Sequence, residues 1–167
     1  AGIPADAAIE APLNELWAYH TERNLWEFIP GDVFPALERL TALGVRLAVA
    51  SNANGTLHQM FARVGLAHYF HTICDSCIEG VEKPDRRFFE IVLARAGARP
   101  ETSIHVGDLY NVDVTGARNA GVRPVLMDPH DLYRDYQVER VKSLDELVTF
   151  VARVNHEERG HEEHEVP

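Results

Sequence analysis

Three short segments carry the side chains best suited to phosphate and metal chemistry. Ser51 and Asn52 follow an apolar run, and their polar groups, with the free N–H groups of a helix start, could bind an anion. Lys83 precedes a proline, which restricts its backbone, and its ammonium could neutralise a phosphoryl oxygen. Asp108 and Asp113 follow another apolar run and could together hold Mg²⁺, which prefers oxygen ligands. Taken alone, Ser51 with Asn52 is more typical of an ordinary turn, and Lys83 of an exposed lysine. Asp108 and Asp113 also suit a loop aspartate and a helix cap, so the order of the three groups along the chain matters most.

Short apolar runs alternate with helical patterns, and this alternation predicts the elements that position those side chains. The order is typical of an α/β fold, a doubly wound parallel sheet with helices on both faces. Ligands bind at the carboxyl edge of such a sheet, so the loops after the strands are expected to contain the site. The predicted strands are Val45–Ala50, Phe70–Cys74, Ser103–Val106 and Val122–Met127.

Local signals near the end of the chain refine this prediction. Pro124 lacks a backbone N–H, which favours an edge strand at that position. Ser143 and Glu146 form a capping box that opens a last helix, predicted to run through Val151. The segment after it is rich in Glu and His and has few apolar residues, so we predict a disordered tail over residues 155–167.

The composition restricts the class of protein. The chain has 167 residues, which is enough for one domain with its own core. Lys and Arg number 16 against 26 Asp and Glu, and the resulting net charge of −10 disfavours nucleic acid and anionic membrane partners. Two cysteines are too few for a disulfide-built scaffold, and no apolar run reaches the ~18 residues of a membrane span. We therefore expect a cytoplasmic protein.

The three segments, in this order, resemble the haloacid dehalogenase-like (HAD) superfamily, in particular its Mg²⁺-dependent phosphatase branch. The matching text is LAVASNANG, GVEKPDRRFFE and HVGDLYNVDVTGARNAGVRPVLMD, and the resemblance covers about residues 31–150. It implies a HAD-like Rossmannoid core with a helical cap, Mg²⁺ as the cofactor and a small phosphorylated metabolite as the substrate.

The resemblance also implies a role for each residue. The Ser51 hydroxyl and adjacent backbone N–H groups, with Asn52 beside it, would hold the transferring phosphoryl group. Lys83 would stabilise the negative charge of the nucleophile and the phosphate. Asp108 would bind Mg²⁺, and Asp113 would orient the lysine or the metal shell. This allocation suits phosphoryl transfer, which needs positioning and charge neutralisation more than covalent chemistry from many side chains.

One part of the family pattern is missing. In the family, the first strand ends in an Asp-x-Asp motif that supplies the nucleophile and the general acid/base, and no Asp-x-Asp occurs in this sequence. That strand lies between the strands that would carry Ser51 and Asp108, so its loss leaves backbone groups unpaired at a cost of ~1–3 kcal/mol each. We therefore expect an N-terminal truncation and a chain that is inactive by itself. A strand-swapped or complementing chain could fill the gap.

The resemblance divides the chain into parts. Residues 1–30 are expected to be a remnant of the helical cap, and residues 31–154 the incomplete α/β core. Cys74 and Cys77 are interpreted as packing residues, because a zinc site normally needs a second cysteine pair. His105 is interpreted as a core or face histidine with satisfied hydrogen bonds, because it alternates with apolar neighbours on a strand. The aromatic residues expected to pack in the cap are Trp17, Tyr19, Trp26 and Phe28.

The predicted function of the complete protein is hydrolysis of a small phosphate monoester through an aspartyl-phosphate. Because the nucleophile is missing here, a non-catalytic HAD-like phosphate-binding or interaction protein is an alternative. A 2-haloacid dehalogenase-like hydrolase is another, although those enzymes typically lack the pair found at Gly107 and Asp108. A phospho-acceptor receiver domain fits poorly, because its acidic cluster precedes its hydroxyl and lysine.

Overall fold

The protein has a mixed α/β fold with parallel strands, which confirms the predicted fold class. The computed structural model describes residues 7–22 and 25–162. None of the helices in these ranges is long and apolar enough to cross a membrane. The strands are β1 (Ala48–Ser51), β2 (Thr72–Asp75), β3 (Ile104–Gly107), β4 (Arg123–Met127) and β5 (Glu139–Val141). The helices are α1 (Ala7–Glu22), α2 (Val33–Ala42), α3 (Leu57–Arg63), α4 (Ser76–Glu79), α5 (Arg86–Ala96), α6 (Thr115–Asn119) and α7 (Leu144–Glu162).

The strands form two parallel sheets. β1 pairs with β2, from Ala48 opposite Thr72 to Ser51 opposite Asp75. The other sheet has the order β3-β4-β5, and both of its pairings are also parallel. Within the described ranges no strand joins β1 to β3, so the single sheet expected from the sequence is divided at this point.

β4 is the middle strand of its sheet, so the edge position predicted from Pro124 is wrong. Pro124 lies opposite His105 of β3, whereas the pairing with β5 begins one residue later, at Val125 opposite Glu139. Pro124 therefore lies outside the β4–β5 ladder, and β5 requires no N–H from it. β5 itself was not predicted, because its three residues include two charged ones.

Helices cover both faces of the β3-β4-β5 sheet, as predicted. Along β3, Ile104 and Val106 pack in a cluster that includes Leu147 of α7. His105, between them, lies against Phe89 of α5 with ring centroids 4.9 Å apart. Successive residues of a strand point to opposite faces, so α7 covers one face and α5 the other.

Several side chains near the start of the chain are more exposed than predicted. Trp17 in α1 exposes 55% of its surface, and Trp26 and Phe28 expose 79% and 82%. The predicted packing of these aromatic residues is therefore wrong for this chain, because little of the described structure covers them. Of the two cysteines predicted to pack, Cys74 is buried and Cys77 is exposed, and both are free thiols.

Helix α7 is longer than the sequence suggests. It runs through Glu162, past the predicted end at Val151 and into the predicted disordered tail. The Asn155 side chain donates a hydrogen bond to the backbone carbonyl of Leu43 at 3.0 Å, which ties the extra turn to the core. Residues 163–167 of the predicted tail lie outside the described ranges.

The carboxylate of Asp75, at the end of β2, holds the turn that follows β1. Its Oδ2 accepts hydrogen bonds from the N–H groups of Gly55 at 2.9 Å and Leu57 at 3.3 Å, and its Oδ1 accepts one from Cys77 at 3.0 Å. Asp75 is fully buried. One acidic side chain therefore satisfies backbone donors at the start of both α3 and α4.

Replacing Asp75 with alanine is expected to destabilise the fold more than the same change at Asp85, which caps α5 at the surface. Asp75→Ala leaves three N–H groups without an acceptor, so the free energy of unfolding should fall by at least about 2 kcal/mol. Asp85→Ala should cost about 1 kcal/mol, as an ordinary lost helix cap does. Urea unfolding followed by circular dichroism measures both, and equal losses would contradict the capping role of Asp75.

Candidate active site

Lys83 lies where the carboxyl ends of β1 and β3 meet. Its ammonium Nζ donates to Oδ1 of Asp113, in the turn after β3, at 2.7 Å. Its backbone is held from the side of β1, where Asn52 directly follows Ser51. The Lys83 N–H donates to Asn52 Oδ1, and Asn52 Nδ2 donates to the Lys83 carbonyl, both at 2.9 Å. The segments singled out in the sequence therefore converge on this lysine.

Asp113 is buried, and both of its carboxylate oxygens accept hydrogen bonds. Oδ1 is shared by Lys83 and by His105 Nε2 at 3.0 Å, and Oδ2 accepts from the Leu109 N–H at 3.0 Å. Burial alone would raise the pKa of this carboxyl, but the hydrogen bonds from His105, Lys83 and Leu109 hold the pKa of Asp113 well below its ordinary value. Because Asp113 is an ionised acceptor, His105 must carry a proton on Nε2.

Two glycines allow this arrangement to be compact. A Cβ on Gly107 would lie 2.1 Å from Asp113 Cγ, so any side chain there would displace the carboxylate. A Cβ on Gly116 in α6 would lie 2.6 Å from the Phe89 ring and 3.0 Å from Pro84 Cα. Gly107 therefore lets the Asp113 carboxylate lie directly against the end of β3, and Gly116 lets α6 pack directly against the residue after Lys83.

The turn after Ser51 differs from the anion-binding corner predicted there. The expected free N–H donors at the start of α3 are bound to the Asp75 carboxylate. The N–H of Ala53 is bound to the Ser76 hydroxyl at 3.0 Å. The prediction is therefore wrong for these donors, because side chains from β2 and α4 already satisfy them. The candidates left for an anion beside the lysine are the Ser51 hydroxyl and the backbone N–H of Asn52.

Asp108, the predicted Mg²⁺ ligand, directly follows β3 and is exposed. Both oxygens of the nearby Asp113 are already engaged by protein donors. Within the described ranges, no group of three acidic, histidine or cysteine side chains could hold a metal. Asp108 fits Mg²⁺ as one oxygen ligand, and a complete octahedral shell would need water, phosphate or carboxylate oxygens from elsewhere.

Sequence reasoning missed two functional contacts at this site. His105 was interpreted as a core or face histidine with satisfied hydrogen bonds, and its alternation with Ile104 and Val106 correctly predicts that it faces away from α7. Its hydrogen bond to Asp113 had no local signal, because the two residues lie on different elements. Asp75 was also overlooked, since its acceptor role depends on a turn 18–20 residues earlier in the chain.

Gly107→Ala is expected to separate Asp113 from its partners, because the new methyl group takes the place of the carboxylate. The pKa of Asp113 should rise towards the ordinary value of about 3.9, and stability should fall by about 3 kcal/mol, as when a buried ion pair is broken. Carboxyl ¹³C NMR titration and urea unfolding measure these effects. Gly31→Ala is the matched control, since a Cβ there meets nothing within 4 Å. If Asp113 of the wild-type protein titrates with the ordinary pKa of an aspartate, the hydrogen bonds described here do not hold its pKa down.

Asp113→Asn is expected to change how stability depends on acid. The depressed pKa of Asp113 means that its ionised form stabilises the fold fully above about pH 4, and that this contribution is lost as the pH falls towards the folded-state pKa. Between about pH 4 and pH 2, the unfolding free energy of wild type should therefore fall more steeply than that of the variant, by about 1.4 kcal/mol per pH unit. Urea titrations at several pH values give both slopes, and parallel curves would refute the effect.

Comparisons with known proteins agree with this fold. A family model for haloacid dehalogenase-like hydrolases matches residues 4–121. A glyceraldehyde 3-phosphate phosphatase of Methanopyrus kandleri is 31% identical over 147 residues, which cover 81% of this chain and 63% of that protein. The structure of a HAD phosphatase from Thermococcus onnurineus has a TM-score of 0.68 at 25% identity, over 74% of this chain and 58% of that one. The structure of a 2-haloacid dehalogenase from Pseudomonas syringae pv. Tomato has a TM-score of 0.64 at 30% identity, over 75% of this chain and 54% of that one.

The matches cover most of this chain but a smaller share of the proteins it matches. The chain spans 63% of the Methanopyrus kandleri protein and 58% and 54% of the two solved chains. Ser51, Lys83, Asp108 and Asp113 all lie within the residues that the family model matches. This chain therefore belongs to the family of haloacid dehalogenase-like hydrolases.

Proposed function

We propose that the complete protein containing this chain hydrolyses a small phosphate monoester. The observation that carries the proposal is Lys83, whose ammonium is fixed by Asp113 and whose backbone is fixed by Asn52 at the carboxyl edge of both sheets. A rigid ammonium in this position suits the stabilisation of charge on a transferring phosphoryl group. The phosphatase named among the relatives supports the same reaction class.

The residues of this chain would divide the work of phosphoryl transfer. The Ser51 hydroxyl and the Asn52 N–H would donate to phosphoryl oxygens. Lys83 uses one of its three N–H donors on Asp113, which leaves two for the phosphate and the nucleophile. Asp108 would hold Mg²⁺, which when bound would neutralise developing charge on the phosphoryl oxygens.

The nucleophile in this proposal is a carboxylate of the complete protein that this chain does not supply. Its oxygen would attack phosphorus, the bond to the ester oxygen would break, and the alcohol would leave with a proton. Water would then attack the phosphorus of the aspartyl-phosphate and release inorganic phosphate. The sequence contains no Asp-x-Asp, so we propose that this chain by itself does not turn over.

The missing nucleophile also favours a second candidate, a non-catalytic protein that keeps the phosphate corner and uses it only for binding. A 2-haloacid dehalogenase-like activity is the remaining enzymatic alternative, given the similarity to such an enzyme. The metal requirement separates the two activities. A Mg²⁺-dependent phosphatase loses its activity when a chelator removes the metal. The alternative dehalogenase reaction does not use Asp108 as a metal ligand, so it should continue in chelator.

The test is phosphate release from a panel of small phosphate monoesters by the complete protein. Activity should require Mg²⁺, and Lys83→Ala should lower kcat at least ~100-fold, because the charge of the transition state loses its partner. Lys142→Ala is the matched control, since this exposed lysine pairs with Asp131 and takes no part in the site around Lys83. Phosphate binding without turnover would favour the binding protein, and halide release from a 2-haloacid in chelator would favour the dehalogenase.

A further inference from the structure

The imidazole of His105 and the ammonium of Lys83 bind the same oxygen atom. His105 Nε2 lies 3.0 Å from Asp113 Oδ1, and Lys83 Nζ donates to that oxygen at 2.7 Å. A carboxylate oxygen has two lone pairs, so these two donors fill the acceptor positions of Oδ1. The side chains of Asp113, Lys83 and His105 expose only 5%, 11% and 12% of their surface. Little water can therefore replace either donor.

The position of the His105 ring is fixed by packing. His105 lies in β3, where its backbone is opposite Pro124 of β4. Its ring meets the Phe89 ring of α5 edge to face, with an interplanar angle of 83°. A side chain on a paired strand is held more precisely than one on a loop. His105 is therefore a fixed point from which a carboxylate in the following turn can be oriented.

The side chains of Asp113 and Lys83 have more freedom than that ring. The terminal torsion of an aspartate is broad, so hydrogen bonds must hold the plane of its carboxylate. The Leu109 N–H restrains Oδ2 at 3.0 Å, and a single donor on Oδ2 does not fix the position of Oδ1. The lysine stem is flexible, so its ammonium follows its acceptor. The position of Oδ1, which His105 restrains, therefore decides where the Lys83 ammonium points.

Packing alone would not require an imidazole at this position. An apolar side chain could also make the contact with Phe89. A buried polar ring costs free energy unless its N–H group is hydrogen-bonded. The structure therefore indicates that the Nε2–H group, which an apolar residue lacks, is what position 105 supplies.

We propose that His105 is a positioning residue for phosphoryl transfer, which orients the Lys83 ammonium by holding the Asp113 oxygen that both side chains bind. This role rests on the proposed function, since the oriented ammonium would meet the phosphoryl group. Without the Nε2–H donor, the carboxylate would turn and the ammonium would move with it. A misplacement of about 1 Å can cost ~100-fold in rate, so we expect the loss of this one donor to lower kcat about tenfold.

A matched pair of substitutions separates the hydrogen bond from packing. His105→Met removes the donor and keeps a side chain whose sulfur packs well against an aromatic ring such as Phe89. His105→Gln has nearly the same size as the methionine variant and keeps a terminal N–H that can reach Oδ1. His71→Met is the control, since His71 is exposed and directly precedes β2, at the sheet edge opposite to Lys83. Circular dichroism establishes that the three variants fold.

The first measurement is ¹⁵N NMR of the lysine ammonium groups in this chain. The chain has only two lysines, so an exposed one, Lys142, is an internal reference for Lys83. In wild type, the Lys83 ammonium should be ordered and should show a scalar coupling across its hydrogen bond to Asp113 Cγ. His105→Met should abolish the coupling and increase the mobility of the Lys83 ammonium. His105→Gln should restore both, and the Lys142 signal should not change.

The second measurement is phosphate release by the complete protein with Mg²⁺ in excess. His105→Met should lower kcat about tenfold and change KM by less than about twofold, because the ammonium is needed most where charge develops in the transition state. His105→Gln should recover most of the lost kcat, and His71→Met should behave as wild type.

The outcomes are distinct. An unchanged Lys83 ammonium in His105→Met, or equal losses of kcat in the methionine and glutamine variants, would overturn the positioning role. If His105→Met does not fold, the wild-type chain decides, since the absence of a coupling between the His105 Nε2–H and Asp113 Cγ would also overturn it. A complete protein that releases no phosphate from any monoester overturns the proposed function. An ammonium that is disordered by methionine and restored by glutamine would still establish that His105 positions Lys83.

Discussion

The ion pair between Lys83 and Asp113 is the interaction on which the rest of the site depends. Two charges removed from water stabilise a fold only when their geometry is good and their other donors and acceptors are satisfied. His105 and the Leu109 N–H provide those further hydrogen bonds to Asp113. Asn52 fixes the lysine backbone from the opposite side. The polar residues around the pair therefore supply the hydrogen bonds that a buried ion pair requires.

The same pair connects the two halves of the fold. Asn52 follows β1 and Asp113 follows β3, so Lys83 links the carboxyl ends of two strands that do not pair with each other. Helices make the other connections, since α5 contacts β1, β2 and α6, and α2 packs against α7.

The charge distribution gives Lys83 a specific role. The chain as a whole carries a net charge of −10, which repels anions at long range. In the proposed function, a phosphate ester would therefore depend on short-range contacts with the fixed donors near Lys83 and on a cation at Asp108. Because Asp113 already holds the ammonium, little conformational entropy remains to be lost when an anion binds. In the proposed function, the buried network would hold the Lys83 ammonium ready for an anionic ligand.

Much of this arrangement could be predicted from the sequence. Alternating apolar runs indicated an α/β fold, and the positions of Ser51, Lys83 and Asp108 after or between them indicated loops that meet, because parallel strands end at the same edge of a sheet. These inferences succeeded because each rests on the conformational preferences of residues within a few positions of one another.

Only the tertiary structure decided which polar groups remain available. The donors at the start of α3 looked free in the sequence, and Asp75 from the next strand satisfies them. The alternation along β3 indicated a structural role for His105, and only the turn after β3 brings its hydrogen-bond partner, Asp113, to it. The sequence determined the class of fold and the set of side chains at the sheet edge, whereas packing between distant elements chose their hydrogen-bond partners, because a buried donor or acceptor must pair with whichever group the fold brings near.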